Sequence, residues 1–285
     1  MKQLKKFILY GFDFLYLLKK NLEKAILKKP SFCLRVLIYH DVKSKSQIEL
    51  FKNQMLSLKK EYDFISPNEF EQLLESEVKP NKPKILLTFD DGFKSNKKLA
   101  EQVLNELNIQ ALFFIISDFI SVSKKSAEYK KIINNIYPNG PNKEELSKPM
   151  DIDDIKFLIS TGHQIGCHTL SHKKLSTLTC SNDLKSEIIS SKIKLEKYLN
   201  IKIKHFAFPF GTYDSISQNS LKIISQNYEH IHSGLRGNNN NNTSKLIYRD
   251  AVNPEMKIRR LKSFLSGNAD FFYKRKFNIL KSYIN

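Results

Sequence analysis

The chain has 285 residues, 41% hydrophobic and 11% aromatic, which is enough apolar surface for a large core and excludes a chain disordered throughout. It carries 47 Lys+Arg against 29 Asp+Glu, a formal net charge of +18, but only six of the 47 are arginine (Arg35, Arg236, Arg249, Arg259, Arg260 and Arg275). Base and phosphate recognition leans on arginine geometry, so the charge reads as solvated lysine surface and no nucleic-acid partner is expected. Cys33, Cys167 and Cys180 are odd in number and form no Cys-x-x-Cys pair, which argues against a disulfide framework.

Residues 1–30 start with Lys2, Lys5 and Lys6 and continue into an apolar run, Phe7–Leu18. Asp13 interrupts the run, no small-residue cleavage site follows, and the run is too short to span a bilayer. The segment reads as a basic amphipathic element that either touches a membrane interface or packs on its own domain, with a cleaved signal as a third reading. The expected location is cytoplasmic, at the inner face of the membrane, with an exported or membrane-anchored protein as the alternative.

From residue 31 onward, strand-like and helix-like segments alternate. Short apolar runs occupy Leu34–His40, Ile85–Phe89, Ala111–Ile116, Gln164–His168, His205–Phe208 and Leu246–Val252. Between them, 3.6-residue periodicity marks Leu50–Leu58, Leu99–Leu107, Ile152–Ile159, Leu184–Leu199 and Ile216–Ile224. Asn68 and Glu71, ahead of Leu73 and Leu74, are spaced as a helix cap and its capping-box partner. Repeated βα units imply a mostly parallel sheet or barrel, with sites at the C-terminal ends of the strands. Residues 122–149, rich in Lys, Asn and Pro, read as an insertion with at most a short helix, and Asn238–Asn242 reads as a loop. One domain over 31–267 and a basic tail over 268–285 complete the expected organisation.

Three segments carry the chemistry. Leu86-Leu87-Thr88-Phe89-Asp90-Asp91-Gly92 runs an apolar strand into two adjacent carboxylates and a glycine. Taken alone, it could be a metal-and-base pair or a turn that holds only its own amides. His168-Thr169-Leu170-Ser171-His172 follows another strand-like run and spaces two imidazoles i, i+4. In a helical turn that spacing offers two nitrogens to one cation. Two histidines and one carboxylate leave coordination positions open, which is a catalytic rather than a structural arrangement. Phe206-Ala207-Phe208-Pro209-Phe210-Gly211 ends a strand in a forced turn whose backbone can approach a ligand.

Together, Thr88–Gly92, His168–His172 and Phe206–Gly211 resemble the first three motifs of the polysaccharide deacetylases, the NodB-homology proteins of carbohydrate esterase family 4. The resemblance spans roughly Val36–Val252. It implies a distorted (β/α)7 barrel of the NodB-homology type and metal-dependent hydrolysis of N-acetyl groups on sugars. Carried over by position, Asp90 is the catalytic base, and Asp91, His168 and His172 hold a divalent metal, Zn2+ first, with Co2+, Ni2+ or Mn2+ as alternatives. Pro209, Phe210 and Gly211 wall the site, the Phe210 amide being the oxyanion contact. The motif style is similar to the bacterial poly-N-acetylglucosamine deacetylase branch, in which Tyr39-His40 near the N-terminus would supply the general acid, His40.

Two departures from the family pattern stand out. Ala207 occupies the place of an arginine that orients the catalytic Asp, and Arg249 is the candidate replacement. The chain has no Trp, so the tryptophan that often lines the acetyl pocket is missing. The expected substrate is an N-acetylated amino sugar in a cell-surface polysaccharide or its precursor. A lipid-linked sugar, a small amide, or glycan binding without catalysis are the alternatives.

Overall fold

The computed structural model describes residues 33–76, 81–141, 146–240, 242 and 244–284. The expected N-terminal segment and its membrane contact lie outside the described residues. Among those described, no helix is long and apolar enough to cross a membrane.

Among the described residues, nine strands form one sheet: β1 Leu34–Tyr39, β2 Asp63–Phe64, β3 Lys84–Phe89, β4 Ala111–Ile115, β5 Gln164–Cys167, β6 His205–Ala207, β7 His230–His232, β8 Leu246–Ile247 and β9 Asp250–Ala251. Their spatial order is β8-β7-β6-β5-β4-β3-β1-β9, with β2 beside β3, and every pairing is parallel. Only Tyr248 and Arg249 separate the two edge strands β8 and β9, so the sheet must curl until its edges approach. The result is the distorted (β/α)7 barrel, its seventh position a strand broken in two. The single run read over Leu246–Val252 is split because Arg249 turns out of the ladder, its amide bonding the Leu235 carbonyl at 3.0 Å.

Side chains alternate between the two faces of each strand. Leu37, Tyr39, Leu87, Phe89 and Phe113 face the surrounding helices in the main core, where Phe89 stacks on Phe113 at 4.9 Å. Leu34, Val36, Leu86 and Ile247 form a second cluster inside the barrel, joined by Ile65 and Phe70. Because both faces are covered, the strands read as continuous apolar runs rather than alternating ones.

Phe70 belongs to helix Pro67–Glu75, which therefore plugs the barrel's N-terminal end. The N-cap of that helix is Ser66, whose hydroxyl accepts from the Glu69 amide, and not the Asn68 and Glu71 pair. Proline at the first helical position moves the start upstream. Residues 122–149 contain helix Ala127–Ile136, four of whose side chains are buried; they join Phe93, Ile116 and Phe119 in a small separate core. Residues 268–285 include helix Phe271–Ser282, which docks through Phe277 and Leu280. Just before it, Asp270 pairs with the fully buried Arg35 at 2.6 Å.

Candidate active site and metal centre

Each motif lies where a strand ends and the chain turns. Asp90 follows β3, and its amide bonds the Tyr39 carbonyl at 3.0 Å, which prolongs the β1–β3 ladder by one step. Asp91 and Gly92 then adopt φ of 75° and 81°, so the chain reverses and the two adjacent carboxylates enter one cleft. His168 follows β5, and the motif after it is not the helical turn the spacing suggests. Thr169 and His172 both take left-handed backbone, φ 64° and 62°, and the loop between them is irregular. A β-branched residue in that region is costly, and neighbouring bonds hold it. The His172 amide donates to Thr169 Oγ1 at 2.9 Å, and the Ser171 amide and hydroxyl donate to the buried Glu187 carboxylate at 2.9 and 2.6 Å. The Glu187 carbonyl, in a widened helical turn over Ser186–Ser190, also accepts the Leu170 amide at 3.1 Å.

The outcome is a triangle of electron-pair donors. His168 Nε2 and His172 Nε2 lie 3.5 and 3.4 Å from Asp91 Oδ1, and the two rings are 4.9 Å apart. His168 Nδ1 sits 2.7 Å from the Ala207 carbonyl, which can only accept, so Nδ1 carries the proton and Nε2 presents its lone pair. His172 Nδ1 faces the Asn135 carbonyl at 3.4 Å in the same sense. Asp91 Oδ2 is buried with no hydrogen-bond partner among the described residues. Two imidazole nitrogens and a carboxylate converging at these distances form a donor set that could hold a divalent cation.

Burial pushes the Asp91 carboxyl up, but the two imidazoles beside it, His168 first and then His172, outweigh that and hold it well below the usual range. Burial likewise opposes charge on His168, yet Asp90 and Asp91 keep its imidazole above its ordinary value. His172 is taken down to about 4, by burial first and then by His168 beside it.

Asp90 stands apart from the triangle. Arg249 grips it through two hydrogen bonds, Nη1 to Oδ1 at 2.8 Å and Nη2 to Oδ2 at 3.0 Å, with Thr88 Oγ1 sharing Nη1 at 3.1 Å. Burial would raise the Asp90 carboxyl, but the guanidinium dominates and lowers it. Arg249 therefore sits where the missing motif arginine would act, and Ala207 packs with Leu112 and Phe114 instead.

His40, at the end of β1, is exposed at the rim of the same cleft of about 290 Å³, which Asp90, Asp91, Tyr137, Phe210 and Arg249 also line. Phe210, φ 64°, leans edge-on over His172 with ring centroids 5.2 Å apart. A Cβ on Gly211 would meet the Gly234 backbone nitrogen at 2.5 Å, so only glycine allows the Pro209–Gly211 turn to lie against the loop after β7.

A family model for polysaccharide deacetylases matches residues 77–227, more than half of the chain. The chain belongs to the polysaccharide deacetylase family. Bacillus subtilis (strain 168) YxkH, whose name places it among the polysaccharide deacetylases, is 24% identical over 186 residues, which is 64% of this chain. The alignment spans 58% of the length of YxkH. Among solved structures, the Streptococcus pyogenes deacetylase PplD in complex with acetate superposes with a TM-score of 0.64 at 22% identity, covering 82% of this chain and 98% of that one. IcaB from Ammonifex degensii gives 0.63 at 22% identity, over 83% of this chain and 98% of its own. Both share the barrel fold of this chain.

Four residues around the site, Asn135, Ile136, Tyr137 and Glu187, escaped the sequence reading. Asn135 and Tyr137 come from residues 122–149, which pattern alone marked as an insertion; Ile136 and Tyr137 wall the cleft and the Asn135 carbonyl faces His172. Glu187 supports the site from inside a helical element, where a polar residue looked like an ordinary helix position. A buried glutamate at 1% exposure is the one feature that a burial-aware reading could have singled out.

Proposed function

We propose that this polysaccharide deacetylase is a metal-dependent hydrolase that removes N-acetyl groups from amino sugars of a cell-surface polysaccharide or its precursor. The observation that carries the reading is the juxtaposition of the Asp91–His168–His172 triangle with an Arg249-bound Asp90 in one cleft. Asp91, His168 and His172 would hold a divalent ion, with Zn2+ the first candidate for two nitrogens and one oxygen. Such an ion supplies Lewis-acid polarisation of the acetyl carbonyl and of the attacking water.

The chain's own residues do the rest. Asp90, kept ionised by Arg249, accepts the proton of the attacking water. The Phe210 amide, on the turn that Pro209 and Gly211 impose, donates to the oxyanion as the carbonyl becomes tetrahedral. His40, at the open rim, gives a proton to the departing amine, which leaves poorly without one. Phe210 and Tyr137 exclude water from the acetyl group while the sugar remains at the solvent-exposed mouth. Acetate and the free amine are the products.

The test is acetate release from a panel of N-acetylated oligosaccharides, with and without chelator and re-added Zn2+, Co2+ or Mn2+. Release that chelation abolishes and Asp90→Asn reduces by about 10²–10⁴-fold supports the reading. Equal release by Asp90→Asn and the native protein would refute it.

A further inference from the structure

The barrel carries a second cluster of metal-ligating side chains at the end opposite the cleft. His205 and His230 open the adjacent parallel strands β6 and β7 and are paired in register, so their side chains leave the sheet on the same face. Their rings stack at 4.7 Å with a 22° interplanar angle. The plug helix Pro67–Glu75 brings Glu71 to the same place, its Oε1 2.9 Å from His205 Nε2. One ligand atom from each of Glu71, His205 and His230 lies within 4.8 Å of the others.

We infer that Glu71, His205 and His230 form a second divalent-cation site, separate from the catalytic triangle, that fastens the plug helix to the barrel. Two imidazoles and a carboxylate are a donor set for a zinc-like ion. His230 lies in register with His205 and its ring stacks on that of His205, so a nitrogen of each can face the Glu71 carboxylate. A ligating His205 Nε2 places the ring proton on Nδ1, and His232 Nε2, 3.1 Å away and fully buried, is there to accept it. His232 then carries its own proton on Nδ1, which has no hydrogen-bond partner among the described residues. Lys204, 2.8 Å from Glu71 Oε2, stays on the second carboxylate oxygen and leaves Oε1 to the ion. Without the ion, the same groups form a hydrogen-bonded clasp, and the experiment must separate the two states.

The full-length protein is stripped with chelator and titrated with ZnCl2 by calorimetry, then with CoCl2 by visible absorption. The inference expects two equivalents bound by the native protein and one by His168→Ala. One is also expected for His230→Gln with deacetylase activity retained, and none for the double variant. Glu71→Gln keeps a hydrogen-bond acceptor for His205 but removes the charge, so a folded Glu71→Gln protein should lose affinity at this site by at least about tenfold. Zinc should raise the melting temperature of His168→Ala and not that of the double variant. One equivalent in the native protein, unchanged by His230→Gln and absent from His168→Ala, would overturn the second site and leave the catalytic one standing. A stoichiometry that His230→Gln lowers and His168→Ala does not would instead count against the catalytic ligand assignment.

Discussion

Arg249 and Asp90 are 159 residues apart in the chain, yet meet in a buried, two-pronged ion pair at 2.8 and 3.0 Å. The pair joins the broken seventh strand to the end of β3, across the seam where the sheet's edges approach. It fixes the plane of the carboxylate while keeping it charged, the two properties that the proposed base would need.

Replacing Arg249 by Met should therefore affect both stability and pH dependence. Leaving Asp90 buried without its partner costs about 3–5 kcal/mol, measurable by urea unfolding. The Asp90 carboxyl lies below its ordinary value in the folded protein. Its stabilising contribution is thus complete above the unfolded pKa of about 4 and disappears as pH falls through the folded one. Without the guanidinium the carboxyl pKa rises, so the acidic limb of the pH–rate profile should move to higher pH, and Arg249→Lys should shift it less. An unmoved limb in a folded Arg249→Met protein would show that Arg249 does not tune the base.

Metal removal is expected to act through Asp91, His168 and His172. Chelation should abolish turnover and lower the melting temperature, since three buried donors are left facing one another. Added zinc should restore both. His172→Ala should bind zinc more weakly and fail to recover activity, as read by competition with a chromophoric chelator. Undiminished affinity would remove His172 from the ligand set.

Glu187 touches neither the cleft nor the proposed substrate, but it anchors Ser171 between the two histidines. Glu187→Ala should free the His168–His172 loop from its left-handed conformation and weaken zinc binding by roughly 10–100-fold, as for other outer partners of metal ligands. The melting temperature should fall as well. A variant that loses stability but binds zinc with native affinity would show that Glu187 supports the fold and not the ligands.

Gly211→Ala tests the turn under the proposed oxyanion contact. Its φ is 63°, and the added Cβ would lie 2.5 Å from the Gly234 nitrogen. The backbone conformation alone costs about 1–3 kcal/mol for a non-glycine residue, and the overlap with backbone adds to that. Unfolding should occur at lower denaturant, and kcat should drop more than KM rises if the Phe210 amide is displaced. Native kcat in a destabilised Gly211→Ala protein would argue that the Phe210 amide plays no part in the chemistry.

Much of the site was legible in the sequence because its motifs are contiguous. Asp90-Asp91-Gly92 and His168–His172 each follow an apolar run, and a parallel sheet delivers strand ends to one place. The helical turn expected between the histidines was wrong, because Glu187 and Thr169 Oγ1 supply local bonds that an irregular loop can use. β7 escaped notice since it is only three residues long, His230-Ile231-His232, and two of them are polar. Only pairing with β6 brings His230 onto His205.

The sequence by itself thus determined the donor types, the βα rhythm and the strand-end placement, all properties of residues near one another along the chain. Tertiary structure decided which distant groups complete them. Closure of the barrel puts Arg249 on Asp90, the segment over 122–149 turns Asn135 and Tyr137 toward the cleft, and the plug helix carries Glu71 to His205. The physical reason is burial. A charged or polar group inside a barrel must find a partner there, and the partner is set by how the sheet curls rather than by the spacing of residues along the chain.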